Sequence, residues 1–275
     1  MQILFLDDAC QRNCTRKNVG KLVAVGGIIV DAQAARRLEQ AINSICLDFR
    51  FPPGEPFKWS PGRDHWMRDN LVAERRESFF RKVLEAAAQH DALGQVTICD
   101  SSKRMATRKA KTHEMDVLVM ALERFDWVLQ RGDLGMVIAS RPSGGRGDEN
   151  EFLSKCVEIV TAGTEYTAFP KLVMNVLTMP FPNSRLLQIA DLVVSITTAM
   201  VARHTEFAGA VFPSVKSLLR VSMGRVGGVG IKIHPDYCYA NLYHWIFGDD
   251  TFWRFQNGWS LPLEGRPFSK SADIY

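Results

Sequence analysis

The chain has 275 residues, 46% hydrophobic and 23% charged, with a formal net charge of +4. That is the composition of an ordinary soluble globular chain with ample apolar material for a core, and it excludes a compositionally biased or fibrous one. The small basic excess suits a phosphate-bearing partner but is equally what solubility alone produces.

The N-terminus, MQILFLDDAC, has neither a basic flank nor a long apolar run, so it does not read as a signal peptide. QILFLDDA reads as a strand ending in acids, and the β-branched, glycine-broken KLVAVGGIIV as a second strand joined to it by a hairpin-sized polar linker. A helix is expected from about Asp31, its N-cap, with Leu38, Ile42, Ile45, Cys46 and Phe49 at helical spacing. RFPPGEPFKWSPGRDHW is a Pro/Gly-rich loop. The next helix carries Leu71, Val72, Phe79, Phe80, Val83 and Leu84 on one face. ALGQVTICD is a third strand, Thr112 to about Gln130 a helix, LGMVIAS a fourth strand, and Asp148 or Glu149 opens a helix to about Ala162. KLVMNVLTM is a fifth strand, and RLLQIADLVVS begins the last long helix. This order implies an α/β fold: a mixed five-stranded sheet with helices on both faces. Residues 1–206 form the expected core. Residues 207–275, irregular and aromatic-rich, are expected to cap the same domain.

The six cysteines, at 10, 14, 46, 99, 156 and 238, include no CxxC pair. Cys46, Cys99 and Cys156 sit in apolar segments, as reduced core thiols of a cytoplasmic protein do. Cys10 and Cys14 lack a second pair at zinc spacing, so a structural zinc site is not expected. The apolar stretches, including the one around Asp191, read as too short or too polar to span a bilayer, so no membrane partner is expected.

Asp191 stands out because its neighbours Leu187, Ile189, Ala190, Leu192 and Val193 are apolar. Burying a lone carboxylate costs on the order of several kcal/mol unless it is compensated. A cap, an edge position or an arginine partner would do this, and so would a metal ion shared with other acids. Asp7 and Asp8 close the first strand and Glu55 follows the first helix. Asp100 closes the third strand, where a turn role serves equally well. Carboxylates converging from several elements suit two-metal chemistry with Mg²⁺ or Mn²⁺.

FLDDA, GEPFKWSP, VIASRP and SRLLQIADLVVS, in that order, resemble the domain-of-unknown-function 3800 family, a branch of the RNase H-like (retroviral integrase-like) superfamily. The resemblance runs from about residue 2 to 204, and GGVGIKIHPD resembles a C-terminal feature of one branch. It implies an RNase H-like fold and a metal-dependent nuclease or phosphodiesterase acting on DNA or RNA. It further implies that Asp7 bridges two metals, that Asp8, Glu55 and Asp191 complete the metal set, and that Lys58 contacts a substrate phosphate. Two departures are visible. Pro56 occupies the place where the family acid more often lies, and Ser140 stands where the family usually has Asp. Asp148 or Glu149 can substitute for the missing acid, or the site can run on fewer acids, or it can be impaired. The alternative function is therefore a catalytically degenerate nucleic-acid- or protein-binding module.

Arg141, Arg146 and Arg185 lie close enough in the pattern to steer a phosphate backbone. Lys103, Arg104, Arg108, Lys109 and Lys111 form either a phosphate-contacting arm or a solvated connector. Trp245, Phe252, Trp253, Phe255 and Trp259 can stack bases, though packing of the C-terminal segment is the simpler role. His234, in KIHPD, is a further candidate through the resemblance around it.

Overall fold

In the computed structural model, which describes residues 1–106, 110–254 and 257–275, strands β1 (Gln2–Gln11) and β2 (Leu22–Asp31) pair antiparallel from Gln2–Asp31 to Gln11–Leu22. The hairpin follows from two β-branched, apolar runs separated by polar residues. Strand β3 (Leu93–Asp100) adds antiparallel to β2. On the other side, β4 (Gly135–Ser140) lies parallel to β1, and β5 (Leu177–Met179) parallel to β4. A sixth strand, β6 (Ile231–His234), runs parallel to β3, giving the order β5-β4-β1-β2-β3-β6.

Two strands differ from the sequence reading. The sheet has six strands because the C-terminal segment, read as irregular, supplies β6; its alternation of buried Ile231 and Ile233 spans only four residues. The fifth strand is three residues long, not nine. Leu172 bridges to Gly135, but the chain then leaves the sheet until Leu177. There Lys171 ties the segment to the Asp126 and Leu129 carbonyls instead.

Helices cover both faces. Helix α1 (Ala32–Asp48) starts where the Asp31 carboxylate accepts the Gln33 N–H at 2.8 Å, the capping arrangement that satisfies an otherwise orphaned donor. A short α2 (Trp66–Asn70) interrupts the Pro/Gly-rich loop, and α3 (Ala73–Gln89) follows. On the opposite face lie α4 (His113–Val128) and α5 (Arg146–Ala162). Leu4 and Leu6 of β1 pack with Leu122 and Phe125 of α4, whereas Phe5 and Ala9 pack with α1, α3 and α6 (Arg185–Ala202). The alternation along β1 thus feeds two layers.

Helix α6 crosses β1 and β2 at Gly27. A Cβ there would lie 1.9 Å from the Phe5 carbonyl oxygen and 2.8 Å from the Ala190 Cβ, so the bare glycine lets α6 seat directly on the sheet. By length and composition α6 could cross a membrane, contrary to the sequence reading, but 89% of it is buried inside this fold.

After α6 come α7 (Thr205–Ala208) and α8 (Phe212–Leu218). Val215, Ile231, Tyr239, Tyr243 and Phe268 join the same hydrophobic cluster as Phe5 and Leu187. Residues beyond 207 therefore share the core of the sheet. A separate pair, β7 (Thr251–Arg254) and β8 (Asn257–Ser260), lies outside it.

Candidate active site

Leu6 of β1 pairs with Ala139 of β4 in parallel register, which makes Asp7 and Ser140 the next neighbours, on the face that α6 covers. Asp7 is buried, whereas Asp8 reaches solvent. Both line a cleft of about 590 Å³ with Ser140, Asp148, Arg12, Lys21 and Lys155. Burial pushes the Asp7 carboxyl well above the usual carboxylate range; the Asp191 and Asp8 charges push it further, and Lys58 pulls it back. The cleft walls also raise Asp8, by desolvation, against the pull of Lys58.

Asp191 projects from α6, fully within the core. Its Oδ2 accepts the Trp59 N–H at 2.6 Å and its Oδ1 accepts the Ser195 hydroxyl at 3.2 Å. One turn earlier, Gln188 Oε1 accepts the Phe57 N–H at 3.2 Å. The i, i+3 spacing of Gln188 and Asp191 matches the alternate residues 57 and 59 of an extended loop, so α6 clamps that loop by its backbone. Burial raises Asp191; the Trp59 N–H, Lys58 and Ser195 act against that, and Asp8 adds to it. The clamp brings Lys58, between the two anchored residues, into the field of all three acids, with its ammonium 5.0 Å from the Phe181 ring centre.

Glu55 has a structural partner: its Oε1 accepts the Trp66 N–H at 2.8 Å, at the start of α2. Arg185 is also committed to structure: it bonds the Glu55 carbonyl and Gln188, both at 2.8 Å, and Asn43 at 2.9 Å. Arg141 bonds Glu149 at 3.0 Å, and Glu149 also accepts the Thr178 hydroxyl. Of Asp148 and Glu149, the two acids proposed to substitute at Ser140, it is Asp148 that lines the cleft, together with Glu151; a Cβ on Gly144 would collide with the Asp148 carboxylate. Asp100 proves to be a turn residue: burial opposes its ionisation, but bonds from Ser102, Tyr239 and Gly20 hold its pKa below the ordinary value.

In the basic arm, Arg108 and Lys109 lie outside the described residues, as does Phe255. The Arg104 carbonyl sits 2.7 Å from His234 Nε2. Trp259 stacks on Phe252, and Trp245 donates to the Phe268 carbonyl at 2.8 Å, so these aromatics pack the C-terminal segment.

All six cysteines are free thiols. A second group of polar side chains, not anticipated, lies at the end of β3: Cys99, His113 and Asp116 bring one ligand-type atom each within 4.8 Å of one another. Its sequence signal is weak, because Cys99 and His113 stand 14 positions apart in the chain and only the i, i+3 pair His113 and Asp116 shares a helix face. Ser195, the hydroxyl partner of Asp191, by contrast stands one helical turn from it, at i+4.

No protein-family model matches this chain, and searches of curated proteins and of solved structures found no match.

Proposed function

We propose that the protein is a divalent-metal-dependent phosphodiesterase or nuclease of RNase H-like fold, a member of the 3800 family by its four motifs. The observation that carries this reading is that buried Asp191 raises the pKa of buried Asp7, with Asp8 acting on both, while one ammonium, Lys58, acts against all three. Three ionised carboxylates and one cation leave a charge of −2, and burial makes that arrangement costly unless a dication joins it. The strand order β5-β4-β1-β2-β3, with β1 to β3 antiparallel and a last helix crossing β1, supports the fold assignment.

Asp7 and Asp191 would hold Mg²⁺ or Mn²⁺, with Asp8 and Asp148 supplying oxygens from the cleft. Asp148 stands in for the carboxylate that Ser140 lacks. The chemistry that such ions supply is activation of a water and stabilisation of the leaving oxygen. Lys58 is placed to balance charge at the acids, and Arg12, Lys21 and Lys155 line the cleft where a phosphate backbone would lie. Arg185 and Glu55, both spent on the loop, shape the site rather than touch substrate.

One observation favours the degenerate binding module. Asp191 and Glu55 each have a complete structural task as backbone acceptors. Cleavage of end-labelled single- and double-stranded DNA and RNA in Mn²⁺ or Mg²⁺ separates the two. The enzyme reading expects metal-dependent products that vanish in Asp7→Asn. Nucleic-acid binding that is unchanged in Asp7→Asn, with no products at all, supports the module instead.

A further inference from the structure

We infer that Cys99, His113 and Asp116 form a site for a borderline-soft divalent ion of the Zn²⁺ or Co²⁺ class, separate from the acid cluster. Cys99 is the last residue but one of β3, and His113 and Asp116 lie one turn apart at the start of α4, on the same helix face. Cys99 and Asp116 are completely buried. Tetrahedral Zn²⁺ with sulfur at about 2.3 Å and oxygen at about 2.0–2.2 Å sets those two donors roughly 3.5 Å apart. The Cys99 Sγ and Asp116 Oδ2 atoms are 3.6 Å apart.

The imidazole supplies the second, independent observation. His113 Nδ1 is shielded from solvent and has no hydrogen-bond partner among the described residues, a costly state for a ring nitrogen unless something is bound there. The Ala106 N–H donates to Asp116 Oδ2 at 2.7 Å, the kind of outer contact that orients a ligating carboxylate. A sulfur, a nitrogen and an oxygen donor suit Zn²⁺ or Co²⁺ rather than Mg²⁺. Three protein donors leave the fourth tetrahedral position to water.

The ion would fasten α4 to β3. Thr112, Glu114 and Met115, from that same turn, form one wall of the acid-lined cleft, so the ion would hold that wall without taking part in the chemistry.

The test is Co²⁺ uptake by the chelator-stripped full-length chain, followed by absorbance. One equivalent should bind at this site and give a near-ultraviolet thiolate-to-cobalt band with strong visible bands of tetrahedral character. Cys99→Ser should lose the near-ultraviolet band, and His113→Gln should weaken uptake by at least about tenfold. Asp7→Asn should bind Co²⁺ at this site as the wild type does, which keeps the result independent of the nuclease reading. Should Cys99→Ser fail to fold, the half-buried His113 decides. A wild-type protein with no thiolate band, or a band that persists in both variants, overturns the site and leaves a thiol–carboxylate hydrogen bond.

Discussion

Asp7 is the residue on which the electrostatics of the cleft turn. Its folded-state pKa is raised above the unfolded one, by burial first and by Asp191 and Asp8 next. Such a group stabilises the fold fully below its unfolded pKa, near the ordinary aspartate value, and that contribution is lost as pH rises through the folded value. Metal-free Asp7→Asn should therefore be more stable than wild type at neutral pH, by about 0.5–2 kcal/mol, as expected where function opposes stability. The advantage should shrink as pH falls toward the ordinary aspartate range; thermal melts across pH in chelator check this. Ser140→Asp should act in the opposite direction. A further carboxylate beside Asp7 should lower the metal-free melting temperature by roughly 2–4 °C for each kcal/mol lost, and Mn²⁺ should restore it by binding only the folded state. A Ser140→Asp melt indifferent to Mn²⁺ would remove that position from the site. The sequence made Asp7 and Asp191 legible because an acid in an apolar strand run and a lone acid in an apolar helix are anomalies of pattern, although Asp7 and Asp8, read as the end of the first strand, lie inside β1, which continues to Gln11. It did not reveal that Glu55 accepts a backbone N–H at the start of α2, because α2 is a five-residue element inside a loop that reads as turns.

At the scale of elements, the clamp between α6 and the loop that carries Lys58 is the feature that builds the site. Asp191→Ala would leave the Trp59 N–H and the Ser195 hydroxyl without their acceptor, at a cost of about 1–3 kcal/mol for a buried donor. Asp191→Asn, which can keep an oxygen in place, should lose less. Amide exchange at Trp59, measured by NMR, should accelerate in the alanine variant and remain slow in the asparagine one. Equal protection in both would mean that the loop is held by packing alone. Gly27→Ala tests how α6 reaches the sheet. With a Cβ 1.9 Å from the Phe5 carbonyl oxygen, overpacking should cost about 3 kcal/mol or more, readable as a drop in the denaturant midpoint. The long, periodic elements were legible: α1, α4 and α6 fall where their apolar spacing predicts, and α3 does so for Phe79, Phe80, Val83 and Leu84, although Leu71 and Val72 precede it. The short ones were not, because three or four residues, as in β5 and β6, carry too little periodicity to separate strand from loop.

For the whole molecule, the C-terminal quarter decides how the fold closes. Strand β6 covers the edge of β3, and Tyr239, Tyr243 and Phe268 fill the core from that side. A chain ending at residue 206 would bare both the edge and the apolar surface beneath it. Expressed alone, it should aggregate or lack a cooperative melt. A soluble, cooperatively folding fragment would show the segment to be dispensable. The change of pattern near Phe207 gives no sign of β6, because strand pairing across about 130 residues leaves no local trace.

The central claim is that Asp7 and Asp191 hold a divalent ion, and Mn²⁺ binding followed by electron paramagnetic resonance tests it most directly. With Cys99→Ser as the background, to silence the second site, the protein should bind Mn²⁺. Adding Asp7→Asn should weaken that binding by at least about tenfold, the scale on which even outer contacts of a metal site act. Mn²⁺ affinity that is the same with and without the Asp7 carboxylate would contradict the account.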